Sequence, residues 1–163
     1  MKVLAITIAG LLVVSATRAS AQAPTDAQIA HIVVTANQVD IDAGKLAAAK
    51  GTHRNVKKFG QQMVTDHTGV NKQATELVTK LKITPEDNPT SQSLKAGGEK
   101  NLAHLKTLKG TAFDKAYIDN EITYHQAVID AIDKTLIPSA QNAEFLGGHP
   151  KPASDGHLKT GQL

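Results

Sequence analysis

Residues 53–82, HRNVKKFGQQMVTDHTGVNKQATELVTKLK, form the longest uninterrupted helical pattern in the sequence. At about 100° per residue, His67 falls on the apolar face of this helix, between Met63 and Val70, and Asp66 lies at the edge of the face. An imidazole that points into a core needs a polar partner. The apolar residues recur at spacings of three, four and seven, as in an amphipathic α-helix; they are Val56, Phe59, Gly60, Met63, Val70, Ala74, Leu77, Val78 and Leu81.

Three further segments have a helical pattern, and no segment alternates as a strand does, which predicts an all-α fold. A capping box at Thr25 begins the first helix, which runs to about Lys50. Only Gly51 and Thr52 connect it to the helix of residues 53–82. So short a connection makes the two helices antiparallel neighbours.

The second half of the chain continues the bundle. Two prolines interrupt residues 83–90 and predict a crossover. A shorter helix is expected over residues 91–108, weakened in its middle by Gly97-Gly98, and a second long helix over residues 111–136. We therefore predict an up-down helical bundle with a short crossover helix.

The first 21 residues have the pattern of a secretory signal peptide. Lys2 precedes an apolar run, VLAITIAGLLVV, and the small residues Ala19-Ser20-Ala21 follow, so cleavage is expected after Ala21. The run is shorter than the roughly 20 residues that span a bilayer. The chain has no cysteine, which excludes a lipid-bearing cysteine and a disulfide framework. We expect an exported, periplasmic protein without a transmembrane segment after cleavage.

The charge of the chain is modest. The formal net charge of +3 includes Lys2 and Arg18 of the predicted leader, so the mature chain carries +1. Basic residues are spread along the helices and do not alternate with aromatic ones, which gives no support for nucleic-acid binding. The length is that of one domain, expected over residues 22–146, and the glycines and prolines of residues 147–163 predict an irregular tail.

Polar residues on the apolar faces are the candidate site. Glu121 and His125 lie one turn apart in the middle of the apolar side of the last long helix, and could meet His67 in the bundle core. With Asp66, they make a candidate ligand set for Fe, Zn, Cu or Mn. A purely structural role is the alternative, because a Glu–His hydrogen bond, a tyrosine hydroxyl or buried water would also satisfy these groups. Asp40 and Asp42 of the first helix are expected to be solvated or cap-like.

The sequence lacks the usual motifs of an enzyme. It has no cysteine nucleophile, no Gly-x-Ser-x-Gly elbow, no phosphate-binding loop and no His-Glu-x-x-His zinc motif. A hydrolase is therefore disfavoured, and a non-catalytic protein is favoured over an enzyme.

Three short motifs resemble one protein family. They are the stretch from Asp42 to Ala47, the run Phe-Gly-x-x-Met-x-x-Asp-His at residues 59–67, and Phe-Asp-Lys-Ala-Tyr at residues 113–117 followed by His125. They resemble the exported bacterial family catalogued as domain of unknown function 4142. The resemblance covers roughly residues 26–143 and implies a ferritin-like four-helix bundle, an outer-membrane or periplasmic location and no settled activity.

One feature of ferritin-like iron proteins is missing. Their di-iron sites use Glu-x-x-His motifs, and this chain contains none, because Glu121 and His125 are four residues apart. An ordinary di-iron oxidase or iron store is therefore disfavoured. Two hypotheses remain: a non-catalytic envelope or stress-related bundle, and a metal-binding or redox bundle with a simpler site.

The carboxyl end departs from the pattern of the family. Residues 137–143 have the pattern of the start of a final helix, but glycines and prolines then crowd residues 147–163. This loss of pattern suggests a truncated family member or a shifted reading frame. A bundle without its last helix leaves an open apolar face, which favours self-association over a stable monomer.

Overall fold

The computed structural model describes residues 23–142 and Glu144, and this part of the chain is all-α, without a strand, as predicted. The helices are α1 (Asp26–Lys50), α2 (Arg54–Leu81), α3 (Pro89–Thr107) and α4 (Gly110–Ala131), followed by a π-helical turn (Ile132–Leu136) and a three-residue helix (Ile137–Ser139). The predicted signal peptide and the predicted tail, with its His149 and His157, lie outside the described residues.

Side-chain hydrogen bonds hold the beginnings of the first two helices. The predicted capping box at Thr25 is present at the start of α1. At the start of α2, both carboxylate oxygens of Asp114 accept backbone hydrogen bonds, from Thr52 N at 2.8 Å and from His53 N at 2.7 Å. Asp114 belongs to α4, so this contact holds the α1–α2 connection against the start of α4.

Helix α1 is the centre of the bundle and packs against α2, α3 and α4. It approaches α2 most closely where Gly44 faces Gly60. A Cβ added at Gly60 would lie 2.7 Å from Gly44 O, and one added at Gly44 would lie 2.7 Å from Gly60 O. Only glycine permits the two backbones to come this close.

Helix α3 is more regular than the predicted crossover helix. It runs unbroken for 19 residues and lies parallel to α1, since Asn88 Nδ2 donates to Gln28 O at one end and Lys50 Nζ donates to Leu105 O at the other. The expected weakness at Gly97-Gly98 does not interrupt it. A Cβ at Gly98 would lie 2.8 Å from Cγ2 of Val39, so this glycine is a packing contact with α1.

The predicted final helix does not begin as a separate element at Ile137, and Glu144 is the next helical residue described after Ser139. The chain continues from α4 through the π turn to Ser139 and becomes extended at Ala140. Pro138 explains the wider turn, because proline has no N–H for the hydrogen bond to the carbonyl four residues earlier and its ring would clash with that carbonyl. Beyond the turn, Gln141 N and Asn142 N donate to the carboxylate of Asp26.

The apolar core is divided into two clusters. One contains Ile29, Ala30, Ile32, Val78 and Leu136, and the other contains Ala43, Ala47, Val56, Leu105, Phe113 and Tyr117. Along α1, the residues between the two clusters include Asn37 and Asp40, which are both buried. The middle of the bundle therefore contains a polar layer, beside which Ala36 and Ile41 are also buried.

No helix in the described part of the chain is long and apolar enough to cross a membrane.

Candidate metal centre

Asp40, His67 and His125 come together in this polar layer from α1, α2 and α4. Each offers a ligand atom, and the three atoms lie within 4.8 Å of one another. Asp40 Oδ2 is 3.4 Å from His67 Nε2, and the centroids of the two imidazole rings are 5.6 Å apart. Two ligands bound at about 2.1 Å to a tetrahedral ion are themselves about 3.4 Å apart. The Asp40–His67 pair already has this separation.

A chain of amide groups orients the His67 ring. Asn71 Nδ2 donates to Val34 O, and Asn37 Nδ2 donates to Asn71 Oδ1, which leaves Asn37 Oδ1 as an acceptor 2.7 Å from His67 Nδ1. The Nδ1 atom of His67 therefore carries the hydrogen. In the neutral ring, the lone pair is then on Nε2, the atom that faces Asp40.

The backbone of α4 orients the ring of His125 in the same manner. His125 Nδ1 lies 2.9 Å from the carbonyl oxygen of Glu121, one turn earlier, so it donates a hydrogen to this oxygen. The remaining nitrogen, Nε2, is left to bind a ligand. Metal-binding histidines commonly have this arrangement, with the non-ligating N–H bound to a carbonyl or amide oxygen.

Glu121 and Tyr117 lie beside the three residues and carry unsatisfied polar atoms. The Glu121 side chain is only 3 % exposed, and its Oε2 is 3.6 Å from His125 Nδ1. By strict geometry, Oε2 of Glu121 and the hydroxyl of Tyr117 have no hydrogen-bond partner among the described residues, although the two side chains are close enough to influence each other's pKa. Buried polar atoms without partners are rare in proteins and often mark a position where an ion or water binds.

Burial shifts the pKa values of the residues in and around the polar layer. It raises the pKa of Asp40 to about 6, although the charge of His125 acts in the opposite direction. Burial and the charge of Asp40 raise the pKa of Glu121 to about 8. Burial and the charge of His125 lower the pKa of His67, which favours the neutral ring. Burial also raises the pKa of Tyr117 and of Tyr124, so both phenols stay protonated at neutral pH.

A cavity of about 1040 Å³ lies beside the group. Asn37, Val70 and Tyr124 contribute to its lining, and α3 contributes Leu94. The Tyr124 hydroxyl donates to Ala36 O and is held in place there. The cavity therefore meets the polar layer at Asn37, the residue that orients the His67 ring.

The structure brings together only some of the four residues predicted as ligands. His67 and His125 are brought together, and Glu121 lies beside them. Asp66 is exposed on the outside of α2 and is not one of the three grouped residues.

The prediction that Asp40 is solvated is wrong, because its side chain is only 6 % exposed and belongs to the group. A signal for it was present in the sequence: Asp40 follows Ala36 by four residues and precedes Ala43 by three, and both alanines are buried. Asn37 was also missed. Asp42, in contrast, is partly exposed and pairs with Gln38 and Lys45, as a solvated residue does.

The sequence profile described as "Domain of unknown function (DUF4142)" matches residues 13–146. The chain belongs to this family. No curated protein and no solved structure matches the chain. In this DUF4142 protein, the Phe-Gly-x-x-Met-x-x-Asp-His run combines two tasks: Gly60 and Met63 form the close contact with α1, and His67 enters the polar layer one turn later.

Proposed function

We propose that the protein is an exported helical bundle that binds one transition-metal ion at Asp40, His67 and His125. One observation carries the proposal: hydrogen bonds from Nδ1 orient both imidazoles so that Nε2 remains free, next to a buried carboxylate. Export is supported by the leader pattern of residues 1–21 and a periplasmic location follows from it.

The polar layer is difficult to explain as packing alone. Protonation of His67 would give an ion pair with Asp40, but burial and the second imidazole both lower the pKa of His67. A bound cation would remove the need to protonate His67. It would attract the carboxylates of Asp40 and Glu121 and accept the lone pairs of neutral histidines.

The donor set selects the class of ion. Two imidazoles and one carboxylate suit Zn, Fe, Cu or Mn, whereas Ca²⁺ and Mg²⁺ prefer oxygen ligands alone. Three protein ligands leave at least one coordination position for water, for Glu121 or for a small ligand from the cavity. When bound, such an ion supplies Lewis-acid or redox chemistry, and the protein's residues hold and orient it.

Metal analysis tests the proposal. Untagged protein is incubated separately with Zn²⁺, Cu²⁺, Fe²⁺ and Mn²⁺, desalted and measured by plasma mass spectrometry. We expect about one retained ion per chain, and loss of that ion in Asp40→Asn, His67→Ala and His125→Ala alike. The matched controls are Asp66→Asn and His104→Ala, which change exposed residues outside the group and should keep the ion.

Two outcomes would overturn metal binding: no ion retained by the wild-type protein, or equal retention by the site variants and their controls. Either result would favour the second function, a non-catalytic envelope or stress-related protein whose core histidines serve stability. A thermal melt of each variant without added metal separates the two roles. A lower melting temperature of a variant in the absence of metal measures only the structural contribution of the replaced side chain.

We also infer that the bundle self-associates through its open face. Two isoleucines of α4, Ile122 and Ile129, lie seven residues apart on its exposed side. Ile122 is 62 % exposed, Ile129 is 41 % exposed, and Val70 of α2 is 44 % exposed. A second copy offers the same residues and covers them around a two-fold axis.

A further inference from the structure

The two short connections of the bundle lie side by side at one end. The α1–α2 connection is tied to α4 through Asp114, which binds Thr52 N and His53 N. Lys50, the last residue of α1, donates from Nζ to the carbonyl oxygens of Leu105 and Lys106 near the end of α3. The ends of α1 and α3 and the beginnings of α2 and α4 therefore form one surface.

This end of the bundle concentrates the positive charge of the protein. Residues 45–58 and 100–115, here called the basic pole, contain nine lysines and arginines and one acid, a formal charge of +8. The rest of the described chain contains five lysines and thirteen acids, a formal charge of −8. All residues of the pole lie within about 15 Å of the connections, since a helix rises 1.5 Å per residue.

Few of these charges are neutralised inside the protein. Lys45 pairs with Asp42, and Lys115 pairs with Asp119. Asp114, the one acid of the pole, has both oxygens bound to backbone N–H groups. Six exposed cations have no carboxylate within 4.0 Å among the described residues: Arg54, Lys57, Lys58, Lys100, Lys106 and Lys109.

The clustering of these cations is unfavourable for the isolated protein. Like charges closer than the Debye length, about 8 Å at physiological ionic strength, repel one another. No buried contact of the fold explains their positions, since the six side chains are exposed. An anionic partner would relieve this repulsion, and its attraction to the cations would contribute to the free energy of binding.

We propose that the basic pole binds the surface of an anionic phospholipid bilayer, with the helices standing end-on. The pole is broad and has no apolar centre, because the exposed Val70, Ile122 and Ile129 all lie outside it. Protein interfaces usually have an apolar core, whereas a headgroup layer is bound by spread positive charge alone.

Nucleic acid fits this surface less well. Phe113 is the aromatic residue of the pole and is fully buried, so no ring is available for stacking on bases.

The end-on position leaves the metal centre clear of the membrane. Asp40 precedes Lys50 by ten residues, which places it about 15 Å from the end of α1. Membrane binding is therefore independent of the proposed metal site.

Vesicle binding tests the proposal. The processed chain, with its N-terminus checked by mass spectrometry, is sedimented with vesicles of phosphatidylcholine alone or with about one third phosphatidylglycerol. We expect binding to the anionic vesicles at low salt, strong weakening at high salt, and little binding to neutral vesicles. Each cation near a membrane surface contributes roughly fivefold in affinity, so the triple variant Arg54→Gln, Lys57→Gln, Lys109→Gln should bind on the order of a hundredfold more weakly.

The control is a second triple variant with the same net charge, Lys72→Gln, Lys80→Gln, Lys95→Gln, whose changes lie outside the pole. It should bind like the wild-type protein, and circular dichroism should show both variants folded. Equal weakening by the two variants would overturn the proposal, as would absence of binding to anionic vesicles at low salt. Tighter binding of the wild-type protein to single-stranded DNA than to the anionic vesicles would assign the pole to nucleic acid instead.

Discussion

Replacing Gly60 by alanine should destabilise the protein, although helix propensity predicts the opposite. In a helix interior, alanine is more favourable than glycine by about 1 kcal/mol. At residue 60, however, the new Cβ would lie 2.7 Å from Gly44 O, 2.8 Å from Ala48 N and 2.9 Å from Ala47 Cβ. Two of these atoms belong to the α1 backbone and cannot rotate away. Overpacking of this kind costs about 3 kcal/mol, so the net loss should be about 2 kcal/mol.

Gly69 provides the matched control on the same helix. A Cβ there would meet nothing within 4 Å, so Gly69→Ala should stabilise the protein by about 1 kcal/mol. Urea unfolding followed by far-ultraviolet circular dichroism measures both changes, and an unchanged dependence on urea shows that the unfolding reaction is the same. Equal stabilisation by the two substitutions would refute the close approach of α1 and α2 at Gly44 and Gly60.

Two further predictions concern titration and assembly. In the metal-free protein, Glu121 has a pKa of about 8, raised from 4.5, so the folded state keeps a proton that the unfolded state releases and stability falls as the pH rises between these values. Glu121→Gln should remove this part of the pH dependence in urea titrations, and parallel profiles for the variant and the wild-type protein would contradict the assignment. For assembly, multi-angle light scattering should give twice the chain mass for the wild-type protein and the single mass for Ile122→Glu, Ile129→Glu. A wild-type protein that stays monomeric at high concentration would exclude the α4 interface.

Much of the fold could be predicted from local patterns. The capping box at Thr25, the two-residue connection after Lys50 and the prolines of residues 83–90 each determine the backbone over a few residues. The predicted helix ends differ from the observed ones by only one or two residues for α2 and α3. The end of α4 was predicted less well, because Pro138 is accommodated by a π turn and no residue pattern distinguishes such a turn from a break.

The candidate site could be predicted only where an unusual residue lies on a clearly apolar face. His67, Glu121 and His125 satisfy this condition, since hydrophobic residues surround them on their own helices. Asp40 was missed because α1 is in contact with three helices, and its buried surface is wider than the face that the sequence suggests. Asp66 was included because it is adjacent to His67 in the sequence, but neighbouring residues on a helix point about 100° apart.

The sequence by itself determines the helices, their order and the polar residues on their inner faces, because these depend on interactions within about one turn of the chain. Only the tertiary structure decides which side chains from different helices meet. It brings Asp40 to His67 and His125, and it assembles the basic pole from two segments separated by more than forty residues. The physical reason is that both features depend on the close contact of α1 with its neighbours, which Gly44, Gly60 and Gly98 allow.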